Sequence, residues 1–334
     1  MNAELTTQVM EVGGPAVEAA ARVLARGGLV AFRTETVYGL GADAGNGEAV
    51  ARLYEAKGRP SFNPLIAHVA DAAAAHRLAQ FDTAAERLAA AFWPGALTLV
   101  LRRRPDCPVA GLATAGLDTI GVRVPSDPVA HGILREFGRA VAAPSANRSG
   151  HVSATTAAHV LADLRGRIDL IVDAGPTPVG LESTIVACVG KPTLLRAGAL
   201  PRSAIEQALV RDEAPLNAGL ATPDFGKMDA APVAPGQLPS HYAPRARLRL
   251  NAVHGNPGEA LLAFGARKLA GADTAVLALN LSPAGDLIEA AAALFSHLRA
   301  LDACGAATIA VMVVPRAGLG EAINDRLERA AAPR

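Results

Sequence analysis

The stretch Gly47-Glu-Ala-Val-Ala-Arg-Leu-Tyr-Glu-Ala-Lys-Gly-Arg-Pro-Ser-Phe-Asn-Pro-Leu-Ile-Ala-His-Val69 decides the fold, because it joins a helical pattern to a strand pattern through a stiff loop. Apolar side chains recur at helical spacing, which predicts a helix over 47–57. Pro60 and Pro64 exclude its continuation. The apolar run 65–69 then predicts a strand. A helix that feeds a strand is the repeating unit of α/β proteins.

The same alternation continues on both sides of this stretch. Further helices are predicted over 15–27, 82–92 and 156–165, and further strands over 29–32, 96–102, 119–124, 140–143, 170–173, 184–189 and 193–196. The last two strands have no helix between them, so the sheet should be mixed. The expected fold class is α/β, with an open twisted mixed sheet and flanking helices.

A second, smaller domain is predicted after an irregular segment. Residues 207–244 contain many prolines and no helical or strand period, which predicts a linker. Beyond it, strands over 247–253, 274–278 and 308–314, with helices near 257–270 and 283–303, predict a parallel βαβ, Rossmann-like domain. The expected organisation is a large domain at 12–206, the linker at 207–244 and a small α/β domain at 245–334.

The composition excludes several classes of protein. The 334 residues are 51% hydrophobic with a net charge of +1, which fits two folded domains and offers no strongly basic face for stable nucleic-acid binding. Cys107, Cys188 and Cys304 show no CxxC spacing, which argues against a disulfide framework or a zinc site. The N-terminus lacks a signal pattern, and no run approaches the ~18 apolar residues of a membrane span. We therefore expect a cytoplasmic protein.

Lys57 and Arg59 are separated by one residue in the proline-bracketed loop. Spacing alone leaves two alternatives. The pair could be solvated at a helix C-terminus, where the helix dipole favours cations. It could instead hold two positive charges close together to neutralise a polyphosphate. The bracketing prolines favour the second alternative, because a solvated turn needs no such restriction.

Ser145 and Asn147 follow a predicted strand, and side chains two residues apart in extended chain point the same way. They could share one ligand, or they could form an Asx or Ser turn. Ser153 and Thr155 present a similar choice, between capping the helix predicted at 156–165 and belonging to an anion site at its N-terminus.

Arg123 is the lone charge within a predicted strand, so it needs a partner or a ligand. We expect a carboxylate, either from Glu182 or from a small substrate. His68 lies within an apolar strand, which is typical of a core histidine bonded to a backbone carbonyl. Glu35, Asp43 and Glu182 are candidates for a base or a magnesium ligand, although none has the spacing of a metal site.

Six segments together resemble the YrdC-like threonylcarbamoyl-AMP synthase family. They are Thr34-Glu-Thr-Val-Tyr-Gly-Leu-Gly41, Lys57-Gly-Arg-Pro-Ser-Phe-Asn-Pro-Leu65, Gly121-Val-Arg-Val-Pro125, Pro144-Ser-Ala-Asn147, Ser183-Thr-Ile185 and Leu195-Arg196. The resemblance covers about residues 12–206. The linker and the βαβ tail resemble the long, two-domain form of that family.

The resemblance implies a nucleotidyltransferase that makes threonylcarbamoyl-AMP and pyrophosphate from L-threonine, bicarbonate and ATP. Magnesium is expected with the ATP. The product would serve the first step in modifying the adenosine beside the anticodon of certain tRNAs, and the implied downstream partner is a tRNA threonylcarbamoyl-transferase complex.

The resemblance also assigns roles to residues. The signature residues implied to be catalytic fall on Lys57, Arg59, Ser145 and Asn147. Those four, with Asn63, Thr119, Ser153, Arg196, His241 and Tyr242, are implied to bind ATP. Threonine is implied to bind at Thr34, Thr36, His68, Arg123, Ala143 and Ser183. The ligands of the magnesium are unknown from the sequence.

One departure from the family is visible, because Arg33 stands where the family usually has proline. Family precedent also has the segment from Pro235 to Tyr242 fold over the site as a lid. Two other functions compete with the enzyme. A binding module for RNA is disfavoured by the near-zero net charge and the 4% aromatic content. A carbamoyl-transfer unit like that of hydrogenase-maturation factors is disfavoured by the absence of zinc-finger cysteine spacing.

Overall fold

The protein folds into a large mixed sheet and a small parallel sheet, each with its own helices. The computed structural model describes residues 5–210, 220–221, 234–235 and 241–333. Most of the predicted linker at 207–244 therefore lies outside the described residues. The described part of the chain contains no helix that is both long enough and apolar enough to cross a membrane.

The large sheet has eleven strands among the described residues, and they run in both directions. These strands are β1 (Gln8–Glu11), β2 (Val30–Arg33), β3 (Tyr38–Asp43), β4 (Ile66–His68), β5 (Ala79–Gln80), β6 (Leu97–Arg103), β7 (Thr119–Arg123), β8 (Val141–Ala142), β9 (Leu170–Asp173), β10 (Thr184–Ala187) and β11 (Thr193–Arg196). Their spatial order is β1-β9-β2-β3-β8-β4-β7-β6-β10-β11, with β5 beside β6. The prediction of an open mixed sheet is confirmed.

Helices cover both faces of this sheet. They are α1 (Gly14–Ala25), α2 (Gly47–Lys57), α3 (Ala72–His76), α4 (Thr83–Phe92), α5 (Pro128–Phe137), α6 (Ala157–Leu164) and α7 (Arg202–Val210). Helices α1 and α5 bury apolar residues on one face, and α2, α4 and α6 do so on the other. Since both faces are covered, most strand residues are apolar without strict alternation. The sequence pattern did not predict β3 or the short strands β1 and β5.

Helix α2 ends where the proline-bracketed loop begins. Asn46 caps its N-terminus, with its side chain accepting from the N–H groups of Glu48 and Ala49. At the other end Gly58 adopts the left-handed conformation at φ 60°, which glycine reaches without strain. The helix therefore stops just after Lys57, as the pattern of the sequence predicts.

The C-terminal sheet is parallel throughout, as predicted, but one of its predicted elements is wrong. Its strands are β12 (Arg247–Arg249), β13 (Ala260–Ala263), β14 (Ala278–Asn280) and β15 (Thr308–Val311), in the order β12-β15-β13-β14, with helices α8 (Leu287–Ala303) and α9 (Leu319–Ala331). The helix predicted near 257–270 is replaced by β13 and the turn after it. Its Ala and Leu residues favour helix, but burial between two strands overrides that propensity.

The boundaries of the two domains remain predictions, although the structure shows what lies near them. Helix α7 crosses the boundary predicted at 206, and its Ile205 and Leu209 belong to the core of the large domain. The C-terminal domain packs closely on the large one. At Gly180 the two backbones approach so closely that a Cβ atom would lie 2.5 Å from the carbonyl oxygen of Ala291 on α8.

Candidate active site

A narrow cavity lies at one edge of the large sheet, where the loops that follow β2 and β8 and the loop before β4 meet β4, the end of β7, the start of β10 and the end of β11. Ten of the residues implied to bind ATP or threonine line it. They are Thr36, Arg59, His68, Arg123, Ala143, Ser145, Ser183, Arg196, His241 and Tyr242. The cavity has two walls that differ in charge: one contains an ion pair, and the other contains basic side chains.

The paired wall consists of Thr34, Glu35, Thr36 and Arg123, all of which are buried. Arg123 donates from Nη2 to Glu35 Oε1 at 2.7 Å and to Thr36 Oγ1 at 2.9 Å. The hydroxyls of Thr34 and Thr36 lie 2.8 Å apart, and Thr34 also donates to the carbonyl of Val37 at 2.6 Å. A chain of hydrogen bonds therefore holds the turn after β2 against the end of β7.

The carboxylate that pairs with Arg123 is Glu35, and the expectation of Glu182 was wrong. Glu182 instead accepts from Arg326 at 2.8 Å. Burial by itself raises the pKa of the Glu35 carboxyl, but the charge and hydrogen bond of Arg123 outweigh burial and leave that pKa below its usual range. Both members of the pair are therefore charged at neutral pH.

His68 joins the cavity from strand β4. Its Nδ1 lies 3.2 Å from the carbonyl of Ile66, as expected for a core histidine, while the ring also lines the cavity. Burial, and then the charge of Arg123, lower the pKa of His68 to about 3. The imidazole is therefore neutral at pH 7, and it can hydrogen-bond a ligand without adding charge.

The cationic wall consists of Arg59 and Arg196, which line the cavity, together with Lys57, which does not line it but feels the charge of Arg59. In the part of the chain that the structure describes, no carboxylate lies within 4.0 Å of any of the three charged groups. Lys57 is only 2% exposed, so the alternative of a solvated surface pair is wrong. Its Nζ donates to the carbonyls of Ser145, at 2.5 Å, and Asn147.

Burial disfavours the charged forms of both Lys57 and Arg59. Burial, and then the charge of Arg59, lower the pKa of Lys57 well below its ordinary value, and burial lowers the pKa of Arg59 to about 10. Arg59 donates to the carbonyls of Asn63 and Pro64 at 3.2 and 3.0 Å. Carbonyl dipoles satisfy the N–H groups but leave the net positive charge uncompensated.

Unused hydrogen-bonding atoms surround these cations. Both side-chain polar atoms of Asn63 are buried and without a partner among the described residues, and so is Oδ1 of Asn147. An unsatisfied buried amide costs free energy, so such atoms mark a place that a ligand completes. Asn147 uses its Nδ2 to donate to the carbonyls of Arg148 and His151 at 2.8 Å, which shapes the turn after Ser145.

Arg196 connects the cationic wall to Ser183, a residue that is predicted to bind threonine. Its Nε and Nη2 donate to the Ser183 carbonyl at 3.1 and 2.9 Å, and Nη2 also lies 3.1 Å from Ser183 Oγ. Ser183 Oγ lies 2.8 Å from Thr98 Oγ1, a contact that sequence reasoning missed. Thr98 is fully buried in β6, where an apolar run concealed it.

Ser153 and Thr119 are predicted site residues that do not line this cavity. Ser153 donates to Glu182 Oε1 at 2.5 Å, and the N-cap of α6 is Thr156, so neither Ser153 nor Thr155 caps that helix. Thr119 begins β7 and lines a small separate cavity with Pro64 and Pro235. The fold thus brings most of the predicted residues, but not all of them, to one cavity.

His241 and Tyr242 close the cavity from the side of the predicted lid. Both are buried, and their rings meet edge to face with centroids 4.0 Å apart. Pro235 also lines the cavity, and its carbonyl lies 3.5 Å from Arg196 Nη1. Residues 236–240, the middle of the segment named as a lid, lie outside the described residues.

The donor set of this site does not resemble a magnesium cage. The described residues contain no group of three or more His, Cys, Asp and Glu side chains that could hold a metal ion. Glu35 and Glu182 are each engaged by an arginine. Asp43, the third candidate, forms an ion pair with Arg139 at 3.0 Å. All three candidate carboxylates are therefore paired with arginines.

Arg33, which stands where the family usually has proline, forms hydrogen bonds within the large domain. Its Nε donates to Asp127 Oδ2 at 2.8 Å, and its Nη1 reaches the carbonyl of Ala174. Asp127 is also the N-cap of α5. Arg33 thus ties the strand before the paired wall to its neighbours through hydrogen bonds, where a proline would act through a restricted φ.

Two family models match this chain, one in each half. The model described as "Telomere recombination", for Sua5, YciO and YrdC proteins, matches residues 22–198. The model described as "Threonylcarbamoyl-AMP synthase, C-terminal domain" matches residues 200–332. The first match covers more than half of the chain, and the second lies within the predicted linker and small domain together with α7.

Curated relatives and a solved structure match over nearly the full length. The chain is 39% identical to a threonylcarbamoyl-AMP synthase of Bacillus subtilis, over 98% of this chain and 96% of that protein. It is 39% identical to one of Pyrococcus abyssi, over 94% and 93%. The crystal structure of P. abyssi Sua5 complexed with L-threonine superposes with a TM-score of 0.85 at 35% identity, covering 98% of this chain and 97% of that one.

Proposed function

Because this chain belongs to the threonylcarbamoyl-AMP synthase family, we propose that it converts L-threonine, bicarbonate and ATP into L-threonylcarbamoyl-AMP, pyrophosphate and water. The observation that carries the proposal is the pairing of two unlike walls in one cavity. A neutral ion pair and three buried basic side chains with no carboxylate within 4.0 Å among the described residues lie at the same edge of the sheet.

The paired wall suits a zwitterionic amino acid. Arg123 offers a guanidinium to the threonine carboxylate, and Glu35 offers a carboxylate to the ammonium group. Thr36, His68 and Ser183 lie around the same space and can meet the threonine hydroxyl. A site built to bond that hydroxyl discriminates against amino acids that lack it, because its own buried polar groups would be left unpaired.

The cationic wall suits the triphosphate of ATP. In the proposed reaction the threonine nitrogen bonds to the carbon of bicarbonate with loss of water. A carbamate oxygen then attacks the α-phosphorus, and the bond from that phosphorus to the bridging β-oxygen breaks. Negative charge develops on the phosphoryl oxygens and on the departing pyrophosphate. Lys57, Arg59 and Arg196 are held before the reaction where they can stabilise that charge.

Magnesium, in this proposal, enters as part of the MgATP substrate. Mg²⁺ commonly keeps several waters and binds substrate phosphates, which agrees with a cavity whose own carboxylates are already paired. We further propose that the labile adenylate passes to a tRNA threonylcarbamoyl-transferase complex, which modifies the adenosine beside the anticodon. The net charge of +1 supports delivery through such a partner over stable tRNA binding by this chain.

The direct test incubates the purified protein with MgATP, labelled bicarbonate and threonine, serine or alanine. We expect pyrophosphate and a labelled acyl-adenylate with threonine, a weaker yield with serine and least with alanine, which lacks the hydroxyl. An absence of any threonine-dependent product would refute the proposed function. Binding of RNA without turnover would instead support the competing binding module.

Arg59→Ala tests the role of the cationic wall in the same assay. We expect kcat/KM to fall by about 10² to 10³, the usual cost of removing one charge-stabilising donor. Arg52→Ala is the matched control, because Arg52 lies on α2 and bonds Gly27 away from the cavity. The folded fraction of both variants is measured by circular dichroism. If Arg59→Ala retains wild-type turnover while folded, the cation has only a structural role.

A further inference from the structure

Arg326 of helix α9 is a buried charge that crosses from the C-terminal domain into the large domain. It is 0% exposed and is the largest side chain that the structure buries completely among the described residues. Its Nε donates to Glu182 Oε2 at 2.8 Å, its Nη2 donates to the Ala197 carbonyl at 2.9 Å, and its Nη1 reaches Asp325. Three of its donor atoms are therefore committed.

The two residues that Arg326 holds in the large domain are sequence neighbours of site residues. Glu182 precedes Ser183, and Ala197 follows Arg196, so one guanidinium connects the start of β10 to the end of β11. Across the same gap Arg196 donates to the Ser183 carbonyl. The position of the Arg196 guanidinium, on the cationic wall, therefore depends on strand ends that the other domain holds together.

The same guanidinium also supports the roof of the cavity. Its carbon lies 5.0 Å from the centroid of the Tyr242 ring, within the range of a cation–π contact. The Tyr242 ring stacks on Phe295 of α8, with centroids 5.6 Å apart. Tyr242 has a left-handed backbone at φ 60°, which is uncommon for a residue with a side chain. Contacts from the C-terminal domain hold it in place.

Charge explains why an arginine is needed at this position. Glu182 lines the cavity, and its other oxygen accepts from Ser153 at 2.5 Å. Without a counter-charge, the Glu182 carboxylate would repel phosphates and compete for Arg196. Arg326 neutralises that carboxylate, which leaves the positive charge of Arg196 available to an anion in the cavity.

We infer that Arg326 is a positioning residue for the nucleotide side of the site, so that the C-terminal domain completes the ATP-binding wall of the large domain. The inference rests on the proposed function. Arg326 is not in contact with Arg123, Thr36 or His68, and it reaches the threonine side only indirectly, through Glu182 beside Ser183, so its effect should fall mainly on ATP.

The test uses the full-length chain and removes both charges together. The double variant Arg326→Gln, Glu182→Gln leaves no lone buried charge, and Arg326→Lys keeps the charge but loses the planar fork. The matched control is Arg202→Gln, Glu321→Gln, which removes another ion pair between the domains, at 2.8 Å, outside the cavity. Steady-state assays give KM for ATP and kcat, and calorimetry gives the threonine Kd without ATP.

We expect the KM for ATP to rise about tenfold in the double variant and less in Arg326→Lys. The threonine Kd of these variants should stay within about twofold of wild type, and so should both constants of the control variant. A mere loss of folded protein would lower kcat and leave both constants unchanged. An unchanged KM for ATP in the folded double variant overturns the inference; if that variant does not fold, an unchanged KM in Arg326→Lys does so. A wild-type protein without threonine-dependent turnover refutes the proposed function instead.

Discussion

Arg123 and Arg59 are buried arginines on opposite sides of one cavity, yet the structure satisfies them differently. Arg123 has the Glu35 carboxylate 2.7 Å away, whereas the hydrogen bonds of Arg59 within the described chain go to backbone carbonyls. The paired wall is thus electrically complete before any ligand arrives. The cationic wall keeps a positive charge that a polyanionic ligand would neutralise. The two walls therefore suit different ligands, one zwitterionic and one strongly anionic.

The largest expected effect is on the paired wall and concerns stability. Arg123→Ala leaves the Glu35 carboxylate buried without its partner, so we expect the free energy of unfolding to fall by about 3 to 5 kcal/mol. Urea titration at pH 7 measures this change. Adding Glu35→Gln should recover much of the loss, because the lone charge is gone. Arg102→Ala, which breaks the exposed pair with Asp118, should cost under about 1 kcal/mol.

The next effect concerns ligands and separates the two walls. Pyrophosphate at a hundred times its Kd should raise the free energy of unfolding by about 2.7 kcal/mol, because it binds only the folded chain. We expect Arg59→Ala to lose this stabilisation, and the pair Arg123→Met, Glu35→Gln to retain it. Threonine should show the opposite dependence. If both variants lose the stabilisation by both ligands equally, the two walls do not bind their ligands separately. Thermal unfolding with each ligand measures the shifts.

The smallest effect is the pH dependence that His68 contributes. Its pKa is about 3 in the folded chain against about 6.5 when unfolded, so the unfolded chain binds a proton that the folded chain does not. The free energy of unfolding therefore falls as the pH drops below about 6.5, by up to about 1.4 kcal/mol per pH unit. His68→Asn should flatten the curve between about pH 6 and 5 by that amount. An unchanged slope would mean that His68 is accessible to protons in the folded state.

Local patterns in the sequence were enough to predict the cationic loop. The bounds of α2, the end at Gly58 and the change from helix to loop at Pro60 follow from helical spacing, glycine and proline, which act over a few residues. The resemblance to a family then grouped residues from six segments that local reasoning could not connect. Their place around one cavity agrees with that grouping, while their individual roles stay predictions.

What could not be predicted depends on contacts between distant segments. Glu35 and Glu182 are both carboxylates in loops, and nothing in the sequence tells which one meets Arg123. Strand β13 has the composition of a helix, and only its burial between β14 and β15 makes it a strand. Arg326 lies in an amphipathic helix where an arginine is ordinarily solvated, so no local signal marked it as buried.

The bond between Glu182 and Arg326 also sets an order in time, since 144 positions separate the two residues. A ribosome adds about 5 to 20 residues each second, so roughly 7 to 30 seconds of synthesis pass between them. During that interval Glu182 has no arginine from α9, and its best alternative is water or the nearby Arg196. The nascent large domain must therefore keep this edge hydrated until the second domain emerges and docks.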